Sequence, residues 1–501
     1  MSRAAIAGLV SALAVLRGAL TGVIVALALG GAALAGVLIA MAIFGTARAQ
    51  PAPPDGLARA SVESGVVLGF IRGPAAIFRD VPYAAPPVGP LRWAPPKPPL
   101  AWPGERVAAA PGPSCPQPMN PDGSPNLGAA NGRTSEDCLQ LNVFAPKDAK
   151  GAPVMVWLHG GGYAAGAGWI YDGQSFARDG VVFVAINYRL GMLGFFAHPD
   201  LAKAAKPIGN YGLMDQIAAL QWVKRNIAAF GGDPGNVTIA GESAGGSSVL
   251  TLLATPSTKG LFHKAIVQSA GVWNPPRDPR ASEVAQMAAL GRAGLGRPGL
   301  DALRALPADR LAAIPGDYGP MVEDALLPRP PTRAFAEGNA ADVPLIIGWN
   351  SGEDSLLGPG ATSDQRQAYT DGWGAYARWV AAKASGGQPA WLYHFSYVGS
   401  RFRPGMTTAA HAAEVQYMLE YWGRRTPASM VAADDRAMAS LMHGCWVAFA
   451  KTGVPACGSE AWPAYDPATD QLMEFGNASG LRTHFRKPEL DAAMARASAG
   501  K

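Results

Sequence analysis

The chain has 501 residues, with 49% hydrophobic and 16% charged residues and a formal net charge of +5. This composition is typical of a globular protein with a large core and excludes an intrinsically disordered chain. Three of the 42 basic residues, Arg3, Arg17 and Arg48, lie in an N-terminal segment that has no acidic residue. Without these three, 39 basic residues stand against 37 acidic residues, and the net charge is +2. Because no concentrated basic face is indicated, we expect no nucleic-acid partner.

The first 49 residues differ from the rest of the chain. Residues 18–45 are uncharged and largely apolar, two arginines precede them, and the small-x-small pattern Ala47-Arg48-Ala49 follows. This pattern predicts a secretory signal peptide over residues 1–49. The apolar run is also long enough to span a bilayer, so an uncleaved N-terminal membrane anchor is the alternative. In both cases the folded body is exported, to the periplasm or the exterior, and the four cysteines suit an oxidising compartment.

The remainder divides into a linker over 50–56, a catalytic domain over 57–490 and a tail over 491–501. Residues 82–113 are rich in proline. They could serve as a ligand for a proline-binding module, but we prefer an irregular segment on the domain surface, held by packed aromatic side chains.

The middle of the chain alternates short apolar runs with helical patterns. The predicted strands are 154–160, 181–188, the run "NVTIAG", 264–271, 342–350 and 390–399. Helices are predicted over 212–231, where apolar residues recur at helical spacing, and over 434–453. Nearly unbroken apolar strands that alternate with helices predict an α/β fold, a mostly parallel sheet with helices on both faces.

The stretch "TIAGESAGG" places Ser243 between a buried strand and a helix. A Gly-x-Ser-x-Gly match alone is weak in a chain with 61 glycines. In this context it predicts a nucleophile elbow, in which Gly241 and Gly245 permit a sharp turn. The amide of Ala244, at the start of the helix, is a predicted donor to a negative oxygen.

A serine nucleophile needs a base and an acid that orients the base, and in α/β-hydrolases these follow in the order serine, acid, histidine. Glu353 comes after the strand 342–350 and is our candidate acid, with Asp354 in reserve. His411 follows the strand 390–399 on a loop and is our candidate base. The other six histidines fit this order less well. His159 and His198 precede Ser243, and His263 precedes any acid loop. His394 lies within a strand, His443 within a helix and His484 near the chain end.

Three successive glycines, 160 to 162, end the strand 154–158 in the sequence "WLHGGGY". Backbone amides without side chains can converge on a developing oxyanion. The sequence contains no His-x-x-x-His, paired Cys-x-x-Cys or Walker-type motif, so we expect neither a metal nor a cofactor.

Eight ordered motifs over residues 61 to 485 resemble the type-B carboxylesterases, the family of cholinesterases and para-nitrobenzyl-type esterases. They are "RDVPYAAPPVGPLRW", "SEDCLQLNVF", "VWLHGGGY", "INYRLGMLGFF", the long run from "GNYGLMDQ" to "GESAGG", "VQSAG", "GWNSGEDS" and "HAAEVQYM". The resemblance implies one α/β-hydrolase domain that cleaves carboxylic esters through an acyl-enzyme. It assigns the nucleophile to Ser243, the acid to Glu353 and the base to His411.

The resemblance also implies supporting roles. The oxyanion donors are Gly161, Gly162 and Ala244, and Ser269 is a second buried serine that supports the acid–histidine pair. The implied disulfide is Cys115–Cys138, and the implied ion pairs are Arg92–Glu136 and Arg189–Asp215. Gly352 departs from the family pattern, which has an aspartate before the glutamate, and this leaves the local support of Glu353 open.

The substrate is expected to be a small-molecule ester of unknown identity. The same machinery could cleave amides, lactones or carbamates, and some members of the family are inactive adhesion or binding proteins that have lost triad residues. Trp349, Tyr417 and Trp422 are candidate pocket walls or core residues, and Arg401 and Arg403 are solvated arginines or contacts for an anionic group. The spacing of Cys445 and Cys457 permits a second bridge but does not require one.

Overall fold

A computed structural model of the chain describes residues 55–119, 130, 132–204, 209–271, 277–323, 325–384, 386–423 and 426–499. The predicted signal peptide or anchor, residues 1–49, and its apolar run 18–45 lie outside these residues. No helix in the described part of the chain is both long and apolar enough to cross a membrane.

Thirteen strands lie within the described ranges. They are β1 (Gly56–Val62), β2 (Gly65–Arg72), β3 (Ala75–Pro82), β4 (Glu105–Val107), β5 (Gln140–Pro146), β6 (Ala152–Leu158), β7 (Val182–Ile186), β8 (Gly232–Glu242), β9 (Lys264–Gln268), β10 (Leu345–Asn350), β11 (Ala390–Phe395), β12 (Gln471–Phe475) and β13 (Gly480–Thr483).

The α-helices of the described residues range from one turn to six. They are α1 (Gln174–Arg178), α2 (Gly191–Gly194), α3 (Pro199–Ala204), α4 (Tyr211–Asn226), α5 (Ala244–Leu253), α6 (Pro279–Arg292), α7 (Leu300–Arg304), α8 (Ala308–Ala312), α9 (Pro331–Ala336), α10 (Ser363–Ala384), α11 (Val415–Met418), α12 (Ala433–Thr452) and α13 (Lys487–Ala499).

All these strands form one mixed sheet in the order β1-β2-β3-β5-β7-β6-β8-β9-β10-β11-β12-β13, with β4 beside β2. The strands from β7 to β12 in this order run parallel, whereas β1, β2, β3 and β5 pair antiparallel and β13 turns back along β12. The predicted parallel sheet is therefore confirmed for the centre, and an antiparallel N-terminal edge extends it.

Both faces of the sheet are covered. Along β6, Val154 and Val156 belong to one hydrophobic core, which includes residues of α4 and α10, whereas Met155 and Trp157 belong to another, which includes residues of α12. This alternation explains the unbroken apolar strands in the sequence, because successive side chains of a strand point to opposite faces.

The proline-rich segment, residues 82–113, is hydrogen-bonded to the rest of the domain. In the proline-rich segment Trp93 donates to Met192 O at 2.9 Å and Trp102 donates to Val66 O at 2.9 Å, so its aromatic side chains anchor it to the domain.

The first strand begins at Gly56, at the end of the predicted linker, and α13 continues through most of the segment 491–501 that was predicted as a tail.

The covalent and ionic links implied by the resemblance are present. Cys115 is bonded to Cys138, and Cys445 is bonded to Cys457, which the sequence left open. Arg92 contacts Glu136 at 2.5 Å and Arg189 contacts Asp215 at 2.7 Å, and all four side chains are largely or fully buried. Two disulfides indicate that the protein folds in an oxidising compartment.

Candidate active site

Ser243 lies on a strained turn between β8 and α5. Its backbone has φ 58° and ψ −122°, a conformation that side-chain-bearing residues rarely adopt. Its N–H donates to Gln268 O at 3.0 Å, which ties the turn to the end of β9. Strain of this kind is retained at functional sites where the surrounding structure enforces it.

The neighbouring glycines explain why this turn can form. A Cβ atom on Gly245 would clash with Leu158 O, and a Cβ atom on Gly241 would lie 2.5 Å from the backbone of Gly245. No side chain fits at either position, so the two glycines let β6, β8 and α5 meet closely beneath Ser243.

The glycine loop after β6 lies against Ser243. A Cβ atom on Gly160 would lie 3.0 Å from Ser243 Cβ and 2.8 Å from Glu242 O. Gly161 and Gly162 have positive φ values of 113° and 62°, which favour glycine. Among the described residues, no hydrogen bond is made by the N–H groups of Gly161, Gly162 or Ala244. These three amides, two in the glycine loop and one directly after Ser243, are therefore available to a ligand oxygen.

Glu353 and His411 are in direct contact. Glu353 Oε2 lies 2.5 Å from His411 Nδ1, and the Glu353 side chain is fully buried. The second oxygen of this carboxylate accepts the Asn350 N–H at 2.8 Å. The His411 N–H donates to Ser355 Oγ at 2.9 Å. Both partners are thus fixed by the loops that follow β10 and β11.

The departure from the family pattern at Gly352 has a steric reason. A Cβ atom there would lie 2.7 Å from Thr408 Oγ1 and 2.8 Å from Ala409 O. The Gly352 N–H donates to Ala409 O at 2.8 Å, which joins the acid loop to the histidine loop. An aspartate has no room here, and the close approach of the two backbones supports Glu353 instead. Asp354, the reserve acid, contacts Arg366 at 3.4 Å and is partly exposed.

Two further buried glutamates, Glu242 and Glu414, belong to this hydrogen-bonded network, and neither is predicted from the sequence. Glu242 Oε1 lies 3.0 Å from His411 Nε2. Glu414 is fully buried and accepts hydrogen bonds from Gln268 Nε2 at 3.1 Å and Asn350 Nδ2 at 2.5 Å. Glu242 stands directly before Ser243, and Glu414 stands three residues after His411, so both lie within motifs that the sequence analysis had singled out.

This concentration of carboxylates governs the protonation of the site. Burial lowers the pKa of His411, but attraction to Glu242 and Glu353 outweighs it, so the pKa lies well above 6.5. Burial raises the pKa of Glu414 to about 7, and repulsion from Glu242 acts in the same direction. A buried imidazolium next to carboxylates is thereby favoured at neutral pH.

Ser269 is fully buried and its backbone has a φ of 44°. Its N–H donates to Gly348 O at 2.9 Å. Its Oγ makes no hydrogen bond to any residue in the described part of the chain. The predicted support of the acid–histidine pair by Ser269 therefore stays a prediction.

Three of the other histidines, His159, His394 and His443, have structural partners. His159 stacks on Tyr188 at 4.3 Å between ring centroids, and burial lowers its pKa to about 4. His394 is buried against Trp349. His443, in α12, contacts Asp179 at 2.9 Å. His484 is exposed.

A cavity of about 150 Å³ is lined in part by residues that follow the glycine loop and Ser243 in the sequence. It is lined by Tyr163, which follows the glycine loop, by Ser247 of α5 and by Tyr376 of α10. Ser247 N donates to Ser243 O at 2.9 Å, so the cavity begins one helical turn from Ser243. Trp373 of α10 contacts His411 edge-on, with ring centroids 5.3 Å apart.

The aromatic and basic residues that the sequence suggested for the pocket lie elsewhere. Trp349, Tyr417 and Trp422 are not among the residues that line the cavity. Arg403 forms an exposed ion pair with Asp434 at 2.5 Å, and Arg401 lies over the ring of Phe402. The reading of the two arginines as solvated surface residues therefore fits their positions.

The amino-acid sequence is similar to those of known esterases. The chain matches the model of the carboxylesterase family over residues 58–371 and 366–493. It is 35% identical to the fumonisin B1 esterase of Sphingopyxis macrogoltabida over 477 residues, with 83% of this chain and 86% of that protein covered. It is 34% identical to the para-nitrobenzyl esterase of Bacillus subtilis (strain 168) over 467 residues, with 82% and 94% covered.

Solved structures extend the similarity to the fold. A PNB esterase superimposes with a TM-score of 0.79 at 31% identity, and the match covers 87% of this chain and 99% of that chain. The predicted α/β-hydrolase fold is confirmed, and the relatives are named for the hydrolysis of esters. The chain belongs to the carboxylesterase family and is a carboxylic ester hydrolase.

Proposed function

We propose that the protein is a serine esterase that works through an acyl-enzyme on Ser243, with His411 as general base and Glu353 as the residue that orients it. The observation that carries this proposal is the 2.5 Å contact between Glu353 Oε2 and His411 Nδ1 beside the strained turn at Ser243. A carboxylate at Nδ1 fixes the histidine orientation and leaves Nε2 as the nitrogen that exchanges a proton.

In the first step His411 Nε2 takes the Ser243 proton as Oγ attacks the ester carbonyl. The carbonyl oxygen becomes an anion, and the amides of Gly161, Gly162 and Ala244 stabilise it. The imidazolium then protonates the alkoxide of the leaving alcohol, which departs. Water repeats the sequence on the acyl-enzyme and releases the acid and the free serine.

Glu242 adds a requirement to this scheme. Its carboxylate lies 3.0 Å from His411 Nε2, the nitrogen that must receive the Ser243 proton. A protonated His411 cannot act as a base, so the active form is the one in which this imidazole has lost its proton. The Glu242 contact then gives way to a hydrogen bond with the Ser243 hydroxyl.

Kinetics of Ser243→Ala on short para-nitrophenyl esters test the proposal. We expect kcat to fall by about 10⁴ or more, because removal of a triad member leaves only binding and oxyanion stabilisation. Ser257→Ala, at an exposed serine after α5, is the matched control and should keep the wild-type rate. Wild-type turnover by Ser243→Ala would refute the proposal. Matched esters and amides in the same assay separate esterase from amidase activity.

We further propose that residues 1–49 direct export and that the domain organisation is a linker over 50–56, a catalytic domain from residue 57 and a short C-terminal extension. Two disulfides in the described part of the chain support an oxidising destination. Sequencing the N-terminus of the protein from its native host tests this: a start near residue 50 supports cleavage, and an intact Met1 supports the anchor.

A further inference from the structure

The cavity beside Ser243 contains one charged side chain. Of the described residues that line it, Arg277 alone is ionised at neutral pH, and no lining residue is acidic. Hydroxyl groups come from five other lining residues: Tyr163, Ser247, Thr251, Thr332 and Tyr376. The Thr251 hydroxyl already donates to Ser247 O at 2.8 Å. A cationic guanidinium beside the remaining hydroxyl groups is a set of groups that suits a carboxylate.

Arg277 is held in position from two sides. Its backbone oxygen accepts the Val322 N–H at 2.8 Å. Its Nε and Nη2 contact Asp317 at 3.1 and 2.5 Å. The third nitrogen, Nη1, lies toward Gly319 and Tyr163, because a Cβ atom on Gly319 would be 2.9 Å from Nη1 and 3.1 Å from the Tyr163 ring. Nη1 is therefore the donor that faces the cavity side.

The Asp317 carboxylate lies outside the cavity. The Asp317 side chain is 79% exposed and is not among the cavity-lining residues, whereas the Arg277 side chain is 25% exposed. Water screens an exposed carboxylate strongly, so such ion pairs are weak. The Arg277 charge reaches the cavity: burial raises the pKa of Tyr163 to about 12, and the guanidinium acts against that rise.

The cavity is placed to receive part of the substrate. Tyr163 follows the glycine loop directly, and Ser247 lies four residues beyond Ser243 on α5, about 6 Å along the helix axis. Ser247 Oγ accepts the Gly271 N–H at 2.9 Å, which closes the wall on the β9 side. The cavity is therefore within reach of one of the two arms of a substrate whose carbonyl contacts Ser243 and the glycine loop.

We propose that the preferred substrate is an ester that carries a free carboxylate, which binds Arg277 in this cavity. The inference rests on the proposed function, because it assumes that Ser243 is the attacked site. It assigns Arg277 as the specificity-determining residue for an anionic ester. The carboxylate stands on the acid side of the ester, as in a half-ester of a dicarboxylic acid, or on the alcohol side, as in an acylated hydroxy acid.

The test compares carboxylates with matched amides. The acid side is probed with monoethyl esters of succinic, glutaric and adipic acids. Each is compared with the same ethyl ester in which a carboxamide replaces the free carboxylate. Acetylglycolate against acetylglycolamide probes the alcohol side. For each pair the ratio of kcat/KM, anion over amide, is measured on the mature protein. We expect a ratio above one on one of the two sides and a fall of about tenfold in Arg277→Gln, as for the loss of one charge-assisted hydrogen bond.

Two further variants sharpen the result. Arg277→Glu should lower the ratio below that of Arg277→Gln, because it replaces attraction by repulsion. Arg403→Gln is the matched control, since Arg403 also forms a 2.5 Å ion pair with an exposed aspartate but lies away from the cavity. It should leave the ratio at the wild-type value.

The proposal is overturned if, for both the acid-side and the alcohol-side pairs, the anion-to-amide ratio of kcat/KM is the same in wild type and in Arg277→Gln, while ester hydrolysis of the neutral compounds still requires Ser243. It is also overturned if Arg403→Gln lowers the ratio as much as Arg277→Gln does. A Ser243→Ala protein that still hydrolyses the neutral compounds is a different result: the proposed function fails, and the inference that rests on it fails with it.

Discussion

Glu353 and His411 are joined by a 2.5 Å contact between Oε2 and Nδ1 although 58 residues separate them in the chain. The contact forms because their loops follow β10 and β11, which are adjacent parallel strands that end at the same edge of the sheet. The Gly352 N–H adds a direct bond between the two loops. The position of the His411 imidazole is thus set by sheet topology and by contact with one buried carboxylate.

Glu353→Gln should lower kcat by about 10⁴, because an amide at Nδ1 favours the wrong histidine tautomer and cannot stabilise the imidazolium. Asp354→Asn is the matched control. It removes the adjacent carboxylate, which contacts Arg366 at the surface, and should change kcat little. Steady-state kinetics on a para-nitrophenyl ester measures both variants. A large loss in Asp354→Asn with little loss in Glu353→Gln would transfer the acid role to Asp354.

A plot of kcat/KM against pH should have an acidic limb, on which kcat/KM rises with pH, and the midpoint of this limb should lie above pH 6.5. His411 accepts a proton only when it is neutral, and its pKa is raised above 6.5 by Glu242 and Glu353 despite burial. Activity is therefore lost as pH falls through this raised pKa. Glu242→Gln removes one of the two carboxylates and should move the limb to lower pH.

Glu414 has a pKa of about 7 and titrates in the same range, so the profile is also recorded in Glu414→Gln. The limb should persist in that variant if it belongs to His411. A wild-type limb at or below pH 6.5, or a limb that Glu242→Gln leaves in place, would contradict the electrostatic account.

Glu414 should make the folded state less stable as pH rises from 4.5 to about 7. Burial raises the folded-state pKa from 4.5 to about 7, so in this window the folded protein keeps the proton that the unfolded chain releases. The contribution is fully present below pH 4.5 and is lost by about pH 7. Melting temperatures across this window should fall less in Glu414→Gln than in wild type. The exposed Glu489→Gln is the control and should follow wild type.

Two glycine-to-alanine substitutions should have opposite effects on the free energy of unfolding. Gly245→Ala places a methyl group against Leu158 O, and we expect a loss of about 2 kcal/mol or more together with loss of activity. Gly444 lies within α12 and its Cβ position is open. Gly444→Ala should stabilise the protein by about 0.5–1 kcal/mol. Denaturant unfolding checks both values, and a neutral Gly245→Ala would contradict the tight turn.

Much of the fold was predictable because its signals are local. The predicted apolar stripe is confirmed, since all its members are buried: Leu213, Ile217, Leu220 and Val223 on α4, and Ile227 directly after it. The central strands are buried on both faces, and their sequences therefore read as unbroken apolar runs. The antiparallel N-terminal edge was not predicted, because its pairing depends on contacts between strands rather than on the composition of each.

The candidate site was predictable to the extent that motifs mark it. Ser243, Glu353 and His411 stand in recognisable stretches, and the structure brings Glu353 and His411 together. Glu242 and Glu414 were missed because nothing in a single sequence distinguishes a buried glutamate from a solvated one. Arg277 lies in no motif. It reaches the cavity only through the packing of the segment around Gly319, which the sequence does not reveal.

Trapping of the acyl-enzyme tests the central claim most directly. The mature protein is mixed with a slowly deacylating para-nitrophenyl ester, quenched in acid, digested and analysed by tandem mass spectrometry. We predict the acyl mass on Ser243, with formation of the adduct slowed by about 10⁴ in Glu353→Gln. Turnover by the wild type with the acyl group on another residue, or with no covalent adduct under conditions that trap one on a known serine esterase, would contradict the account.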